Sequence, residues 1–216
     1  MPPKPARPEN LKEDCLSEAL KIIESKGVES LSMREVARRL GVSHQAPYKH
    51  FESRDHILAE VIGRAYESFG QWLEMRSRQP DIQDEMLALG LAYFEYALQH
   101  PLQYRLMFST PLPDPDDHPD MMVKADRCYT LLKESLANHH YADLPEQEKK
   151  ELVELDALFV WSLVHGLSSV LKSDAITAMS VDQKVLDASI PHILRRIGTA
   201  MGGTIPEQLL PAADQN

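Results

Sequence analysis

Apolar residues recur at helical spacing along almost the whole chain of 216 residues, and no stretch shows the strict alternation of a half-buried strand. The first run starts at Leu11 and stops where Lys26 and Gly27 supply the cation and the glycine that are typical of a helix end. The later runs predict helices over residues 33–40, 44–51, 54–77, 82–99, 102–110, 120–139, 146–172 and 181–201. We therefore predict an all-α protein.

The segment from Ser32 to residue 51 predicts two short helices joined by a glycine turn. Ser32 and Glu35 have the spacing of a capping box, so the first helix is expected to begin directly after Ser32. Gly-Val-Ser at 41–43 fits a turn that leaves one helix through a left-handed glycine and caps the next helix with serine. Pro47 lies in or just past the first turn of the second helix, where a missing amide costs least.

Charge separates this segment from the rest of the chain. The formal net charge is -10, yet residues 1–66 carry eleven Lys/Arg against ten Asp/Glu, so all the excess acid lies downstream. Within residues 33–54 five cations face two acids, a local excess of three positive charges that suits a polyanion. Two helices at this spacing can place the second in the major groove of DNA. The same spacing also occurs as a simple packing device.

The residue types of this segment help to choose between DNA binding and a simple packing device. The stretch LSMREVARRLGVSHQAPYKHFESRDHILAEV, residues 31–61, resembles the N-terminal domain of transcriptional regulators of the tetracycline-repressor (TetR) family. HPLQYRLMF at 100–108 and WSLVHGL at 161–167 resemble the ligand-binding domain of one branch of that family, which has a Trp-x-x-x-His-Gly motif. The resemblance implies a helix-turn-helix DNA-binding domain followed by a larger helical domain for ligand binding and dimerisation.

Carried over position by position, the resemblance implies a set of DNA contacts. The start of the second short helix would face bases, Tyr48 and His50 would touch phosphates, and Arg34 and Arg54 would hold the backbone. Helix-terminal amides favour phosphate, and a glutamine amide suits adenine. The full set of expected DNA-binding residues is Arg34, Ser43, His44, Gln45, Ala46, Tyr48, Lys49, His50 and Arg54.

The downstream helices predict a dimer and an effector site. Residues 146–172 are apolar on nearly every face from Leu155 on, and 181–201 add an apolar stripe, which predicts a homodimer interface. Aromatic and soft residues on the helices of the same part would surround a cavity for a small apolar or amphipathic effector, although each fits an ordinary core as well. The expected ligand-binding residues are Trp72, Tyr93, Phe94, Tyr104, Met107, Phe108, Tyr129, Trp161 and His165.

Other functions find little support in the sequence. No nucleophile motif, metal signature or phosphate loop is present, so we expect no catalysis, metal or cofactor. A thiol sensor using Cys15 or Cys128 lacks a set of cationic neighbours beyond Arg127. No secretory signal or uninterrupted apolar run of membrane length is apparent, so we expect a cytoplasmic protein without membrane contact. The main rival to a ligand-responsive regulator is a ligand-independent architectural DNA-binding dimer.

The expected organisation follows from these predictions. Residues 1–9 form a disordered arm, 10–54 the helix-turn-helix domain, and a helix over 54–77 connects it to the rest. Residues 78–203 form the ligand-binding and dimerisation domain, and 204–216 a disordered tail. The expected partners are a double-stranded DNA operator, a small-molecule effector and a second copy of the chain.

Overall fold

The computed structural model describes residues 10–139, 141 and 145–201, and these contain α-helices, short 3₁₀ turns and no strand. The all-α prediction is thus confirmed. The predicted arm at 1–9 and tail at 204–216 lie outside the described residues. The helices are α1 (Leu11–Lys26), α2 (Met33–Leu40), α3 (Arg54–Glu74), α4 (Ile82–Gln99), α5 (Pro101–Phe108), α6 (Pro119–His139), α7 (Glu146–Leu171), α8 (Asp174–Ala178) and α9 (Gln183–Met201).

The start of α2 agrees with the sequence prediction. The Glu35 amide donates to the Ser32 hydroxyl at 3.2 Å, which satisfies one of the free amides of the first turn. At the other end Gly41 has φ 64° and ψ 26°, the left-handed conformation that a residue without a Cβ adopts most easily. The helix therefore begins and ends where the capping residues direct it.

The second short helix was predicted wrongly. Residues 44–51 form turns and a 3₁₀ helix, Pro47–Lys49, rather than an α-helix. Proline has no amide proton, so Pro47 cannot donate the α-helical bond to the carbonyl of Ser43. The amide of Ala46 donates to that carbonyl at 2.9 Å, the shorter i to i+3 spacing of 3₁₀ turns.

The remaining boundaries differ little from those predicted. The connecting helix ends at Glu74 rather than near 77, and the short helix α8 was not predicted. Five residues are too few to show a hydrophobic period, and α8 has no buried residue. α9 continues through Pro191 to Met201.

The chain divides into two compact units. Among the described residues, the first unit comprises 10–68 and 102–125, and the second comprises 69–101 and those between 126 and 201. One boundary falls inside α3, one after the first residue of α5 and one inside α6, so α3 and α6 carry the chain from one unit into the other over several turns. Residues 102–125, which the sequence assigned to the C-terminal domain, fall into the first unit.

The second unit is organised around a close approach of α4 and α9. A Cβ on Gly198 of α9 would lie 3.2 Å from backbone atoms of Gln83, at the start of α4. A Cβ on Gly90 would overlap the side chain of Leu194. Two glycines thus let the two helices pack closely, and the buried side of α9 consists of Leu194, Ile197, Gly198 and Met201.

Candidate nucleic-acid interface and effector site

The segment between α1 and α3 exposes most of the residues expected to contact DNA. We call residues 32–53 the reader segment. Pro47 and Phe51 are buried, whereas the polar side chains between and before them point to solvent. The exposed members of the expected set are Arg34, Ser43, His44, Gln45, Tyr48, Lys49 and His50, and Ala46 is half-buried. Two apolar anchors therefore hold a short turn whose outer surface is free to meet a flat or grooved partner.

Some of the cations of the reader segment are paired with an acidic side chain of the same segment. The Glu35 carboxylate accepts from Arg38 Nε at 2.7 Å and from Arg39 Nε at 3.2 Å. These bonds, Arg38 first, lower the pKa of Glu35 to about 2, so the carboxylate stays ionised at neutral pH. One carboxylate offsets only one of these two positive charges, so the exposed cations of the reader segment are Arg34, Arg38 and Lys49, with Arg38 bonded to Glu35.

Arg54 differs from the other expected DNA contacts because its guanidinium bonds to the protein itself. Its Nε donates to the Leu31 carbonyl at 3.1 Å and its Nη2 to the Val28 carbonyl at 2.9 Å. Its Nη1 donates to Asp55 at 2.7 Å. Nothing in the sequence signals these contacts, since carbonyl acceptors are common to all residue types.

In the first unit, three of the expected ligand-binding residues pack around Tyr66. The Tyr66 hydroxyl donates to the Met107 carbonyl at 2.9 Å, and its ring meets Phe108 edge-on with centroids 6.1 Å apart. The rings of Tyr104 and Phe108 are 4.9 Å apart. Tyr104 and Met107 are buried, so both belong to the core of the first unit.

The other six expected ligand-binding residues belong to the second unit and lie on α3, α4, α6 and α7. They are Trp72, Tyr93, Phe94, Tyr129, Trp161 and His165. Several are in contact: Tyr129 and Trp161 have centroids 5.7 Å apart, and the Tyr93 hydroxyl lies 3.2 Å from His165 Nδ1. Burial, and then the charge of Lys172, lower the pKa of His165, so its ring is neutral at pH 7. His165 is therefore a hydrogen-bonded, half-buried histidine.

Sequence reasoning missed several residues beside this aromatic set. Tyr96 is fully buried and contacts both Phe69 and Trp72. Its spacing of three residues from Tyr93 could have indicated it, because residues i and i+3 share a helix face. Glu154 accepts from the Tyr129 hydroxyl at 3.1 Å, and Lys133 bonds Glu154 at 3.0 Å. No sequence pattern singles out that polar group.

The structure offers no support for the thiol and metal alternatives. Burial raises the pKa of Cys15 to about 11 and that of Cys128 to about 12, so both thiols stay protonated and unreactive at neutral pH. Within the described ranges, no three His, Cys, Asp or Glu side chains come close enough to hold a metal ion.

A glycine turn with an exposed polar reader segment, ahead of a larger helical unit, defines the helix-turn-helix class of regulators. Residues 16–61 match the family model of the bacterial regulatory proteins of the tetR family, and residues 86–197 match the tetracyclin repressor-like C-terminal domain. The chain belongs to the tetR family of bacterial regulatory proteins, as its sequence motifs predicted.

Individual relatives are more distant. An HTH-type transcriptional regulator of Mycobacterium tuberculosis is 29% identical over 98 residues, which are 44% of this chain and 42% of the relative. The match thus spans less than half the length of this relative. A protein of unknown function from Rhodococcus sp. RHA1 has a TM-score of 0.66 at 23% identity, over 90% of this chain and 98% of its own.

A second solved structure, a tetR family regulatory protein from Rhodococcus RHA1, has a TM-score of 0.63 at 17% identity. That match covers 88% of this chain and 97% of the Rhodococcus protein. At such identities the two structures establish the shared fold, and they carry no information about effector or operator.

Proposed function

We propose that the protein is a homodimeric transcriptional regulator of the cytoplasm, a repressor that leaves a palindromic DNA operator when a small apolar or amphipathic effector binds. The observation that carries the DNA-binding part is the reader segment, where exposed polar and cationic side chains surround buried apolar residues in a chain of the tetR family. Residues near the start of the 3₁₀ helix, Ser43, His44 and Gln45, are exposed and can reach base edges. Tyr48, Lys49 and His50 supply groups for phosphates.

Dimerisation is proposed through α7 and α9. Leu155, Leu158, Phe159 and Val170 lie on one face of α7, and each is between 43% and 54% exposed. The segment Glu148–Leu171 is long and apolar enough to span a membrane by length and composition alone, contrary to the sequence reasoning. Only 28% of its apolar 18-residue stretch is buried. A second copy of the same face would cover these side chains, as a twofold interface requires.

Gly166 supports the same proposal. Gly166 is exposed, and a Cβ on it would meet nothing within 4 Å in the described chain. It shares the exposed face of α7 with Ser162 and Ser169. A face of large apolar and small residues suits a closely packed helix of a partner subunit.

Effector binding is proposed for the aromatic residues of the second unit. We also propose that the chain belongs to the branch of the family with the Trp-x-x-x-His-Gly motif, because Trp161, His165 and Gly166 match that motif. Aromatic walls with a few placed polar groups are typical of sites for amphipathic molecules. The polar groups here are the Tyr93 hydroxyl, His165 and the Glu154 carboxylate beside Tyr129. The expected role of Tyr104, Met107 and Phe108, which belong to the first unit, stays a prediction from the sequence.

Communication between effector and operator is proposed to run through α3 and α6, since each continues from one unit into the other. The coupling must be reciprocal, because an effector that weakens operator binding tenfold must itself bind tenfold more weakly to the operator complex. An architectural DNA-binding dimer would show no such coupling.

The test has two stages. Operators are first selected from random duplex DNA with the purified protein, and a palindromic consensus bound with nanomolar affinity is expected. A thermal-shift screen of apolar and amphipathic compounds follows, because a ligand selective for the native state raises the melting temperature by mass action. Hits are then assayed for release of the operator. Selected DNA without a consensus would contradict specific reading, and operator binding indifferent to every stabilising hit would favour the architectural binder.

A further inference from the structure

Arg54 connects the two ends of the reader segment. The reader segment, residues 32–53, begins directly after Leu31 and ends directly before Arg54. The guanidinium of Arg54 donates to the carbonyls of Leu31 and Val28, at 3.1 Å and 2.9 Å. A single side chain thus closes the chain on itself around the complete reader segment.

The chemistry of this contact requires arginine. A guanidinium presents its N–H groups as a rigid planar fork, so Nε and Nη2 can meet two carbonyls at once while Nη1 meets the Asp55 carboxylate. A lysine ammonium has the same charge but a single nitrogen, and it cannot bridge both carbonyls in that geometry. We call the two bonds from Arg54 to the Leu31 and Val28 carbonyls the Arg54 clasp. Arg54→Lys therefore keeps the positive charge but removes the clasp.

We infer that Arg54 is a positioning residue that fixes the geometry of the reader segment, and that its value for DNA binding lies in this clasp rather than in a phosphate contact. The inference rests on the proposed DNA-binding function. It replaces the role that the family resemblance implies for this position, which was a hold on the DNA backbone. The phosphate contacts then belong to exposed residues of the reader segment, among them the cations Arg34 and Lys49.

The two roles predict different salt dependence. A side chain that neutralises one phosphate contributes about 0.9 to the slope of log K against log salt, and its loss weakens binding to all DNA sequences. A positioning residue neutralises no phosphate, so its loss leaves the slope unchanged. The affinity lost is that for the selected operator, because base contacts need correctly placed side chains.

The experiment compares Arg54→Lys, Arg54→Gln and Lys49→Gln with the wild type on a selected operator and on random duplex, at four salt concentrations. We expect both Arg54 variants to bind the operator at least tenfold more weakly, with a wild-type salt slope and nearly unchanged affinity for random duplex. Lys49→Gln, the matched control, should lower the slope by about one and weaken binding to both DNAs. Wild-type affinity in Arg54→Lys, with a slope reduced by about one in Arg54→Gln, would overturn the inference.

A measurement on the wild-type protein covers the case in which these variants do not fold. The Arg54 side-chain Nε–H should exchange slowly with solvent in the free protein, and its rate should change little when operator binds. Fast exchange in the free protein, with protection only on DNA, would contradict the clasp. A wild type that binds no selected DNA would refute the proposed function, while the exchange rate would still decide whether the clasp exists.

Discussion

The reader segment and helix α7 both expose side chains, but of opposite chemistry. The reader segment exposes polar and cationic groups around buried apolar residues, whereas α7 exposes leucine, phenylalanine and valine. Polar exposed groups suit a hydrated, charged partner that binds reversibly. Apolar exposed groups suit a partner that removes them from water permanently. The contrast fits the two interfaces proposed above, one for DNA and one for a second copy of the chain.

The largest expected effect tests the apolar interface. Phe159→Asp would place a carboxylate on each side of the proposed twofold seam, where burial of an unpaired charge is costly. We expect the dimer dissociation constant to rise at least 1,000-fold, about 4 kcal/mol, and operator binding to be lost because half-sites are no longer joined. Sedimentation measures the first result, and operator titration measures the second.

Val123→Asp is the matched control, since Val123 is an exposed valine on α6 outside the α7 face. It should remain a dimer. A wild-type protein that sediments as a monomer at micromolar concentration would contradict the proposed interface. Binding of such a monomer to lipid vesicles would instead favour a membrane partner for α7.

The next effect tests the interior of the second unit, which unlike either exposed surface holds a buried ion pair. Glu85 is fully buried, and it accepts from Arg76 at 2.6 Å, Ser135 at 2.8 Å and the Gln79 amide at 2.9 Å. Glu85→Gln would leave Arg76 buried without its counter-ion. We expect a loss of about 3 kcal/mol in the free energy of unfolding, measured by urea denaturation.

The pH dependence gives a sharper version of this test. Burial alone would raise the pKa of Glu85, but the Gln79 amide, the Ser135 hydroxyl and Arg76 more than offset it, so the pKa lies below its ordinary value. The contribution of a carboxylate with a lowered pKa is complete above the unfolded pKa and is lost as pH falls through the folded pKa. The gap between wild type and Glu85→Gln should therefore narrow below about pH 4.

The exposed Glu95 on the same helix provides the control, and Glu95→Gln should leave the free energy of unfolding unchanged. A gap that stays constant down to pH 3 would show that folding does not lower the pKa of Glu85.

A third effect separates close helix packing from open surface. Gly198→Ala would bring a Cβ to 3.2 Å from the backbone of Gln83, where no flexible atom can move away. We expect about 2 kcal/mol of destabilisation, measured by urea denaturation. The control is Gly63→Ala on α3, whose Cβ would meet only ordinary contacts at 3.5 Å or more and should gain helix propensity. Equal stability of both variants would contradict the close approach of α4 and α9.

The sequence predicted some of these helices correctly and others wrongly. Hydrophobic spacing predicted α4 from Ile82 to Gln99 without error, because a long amphipathic helix repeats its signal over several turns. The helix after the glycine turn was predicted wrongly, since one proline within eight residues outweighs a short periodic pattern.

Side-chain networks were the least predictable feature. The clasp of Arg54 joins atoms 23 and 26 residues apart in sequence, and its acceptors are backbone carbonyls that no composition reveals. The buried pair of Arg76 and Glu85 likewise joins residues nine positions apart, across the segment between α3 and α4. The expected DNA contacts, by contrast, came from family motifs, and the structure exposes most of them without testing their roles.

The smallest expected effect returns to the polar surface and tests base reading by one residue. Gln45 is exposed on the reader segment, and its amide can bond two atoms of an adenine edge. Gln45→Ala should reduce discrimination between the selected operator and a variant at one base step by about 1 kcal/mol, or roughly fivefold. The salt slope should not change, because no phosphate contact is removed. Titration of both DNAs with wild type and variant measures the change. Gln99→Ala, an exposed glutamine on α4, serves as control and should behave as the wild type. Unaltered discrimination at every operator position in Gln45→Ala would assign sequence reading to other residues of the reader segment, with Ser43 and His44 the next to substitute.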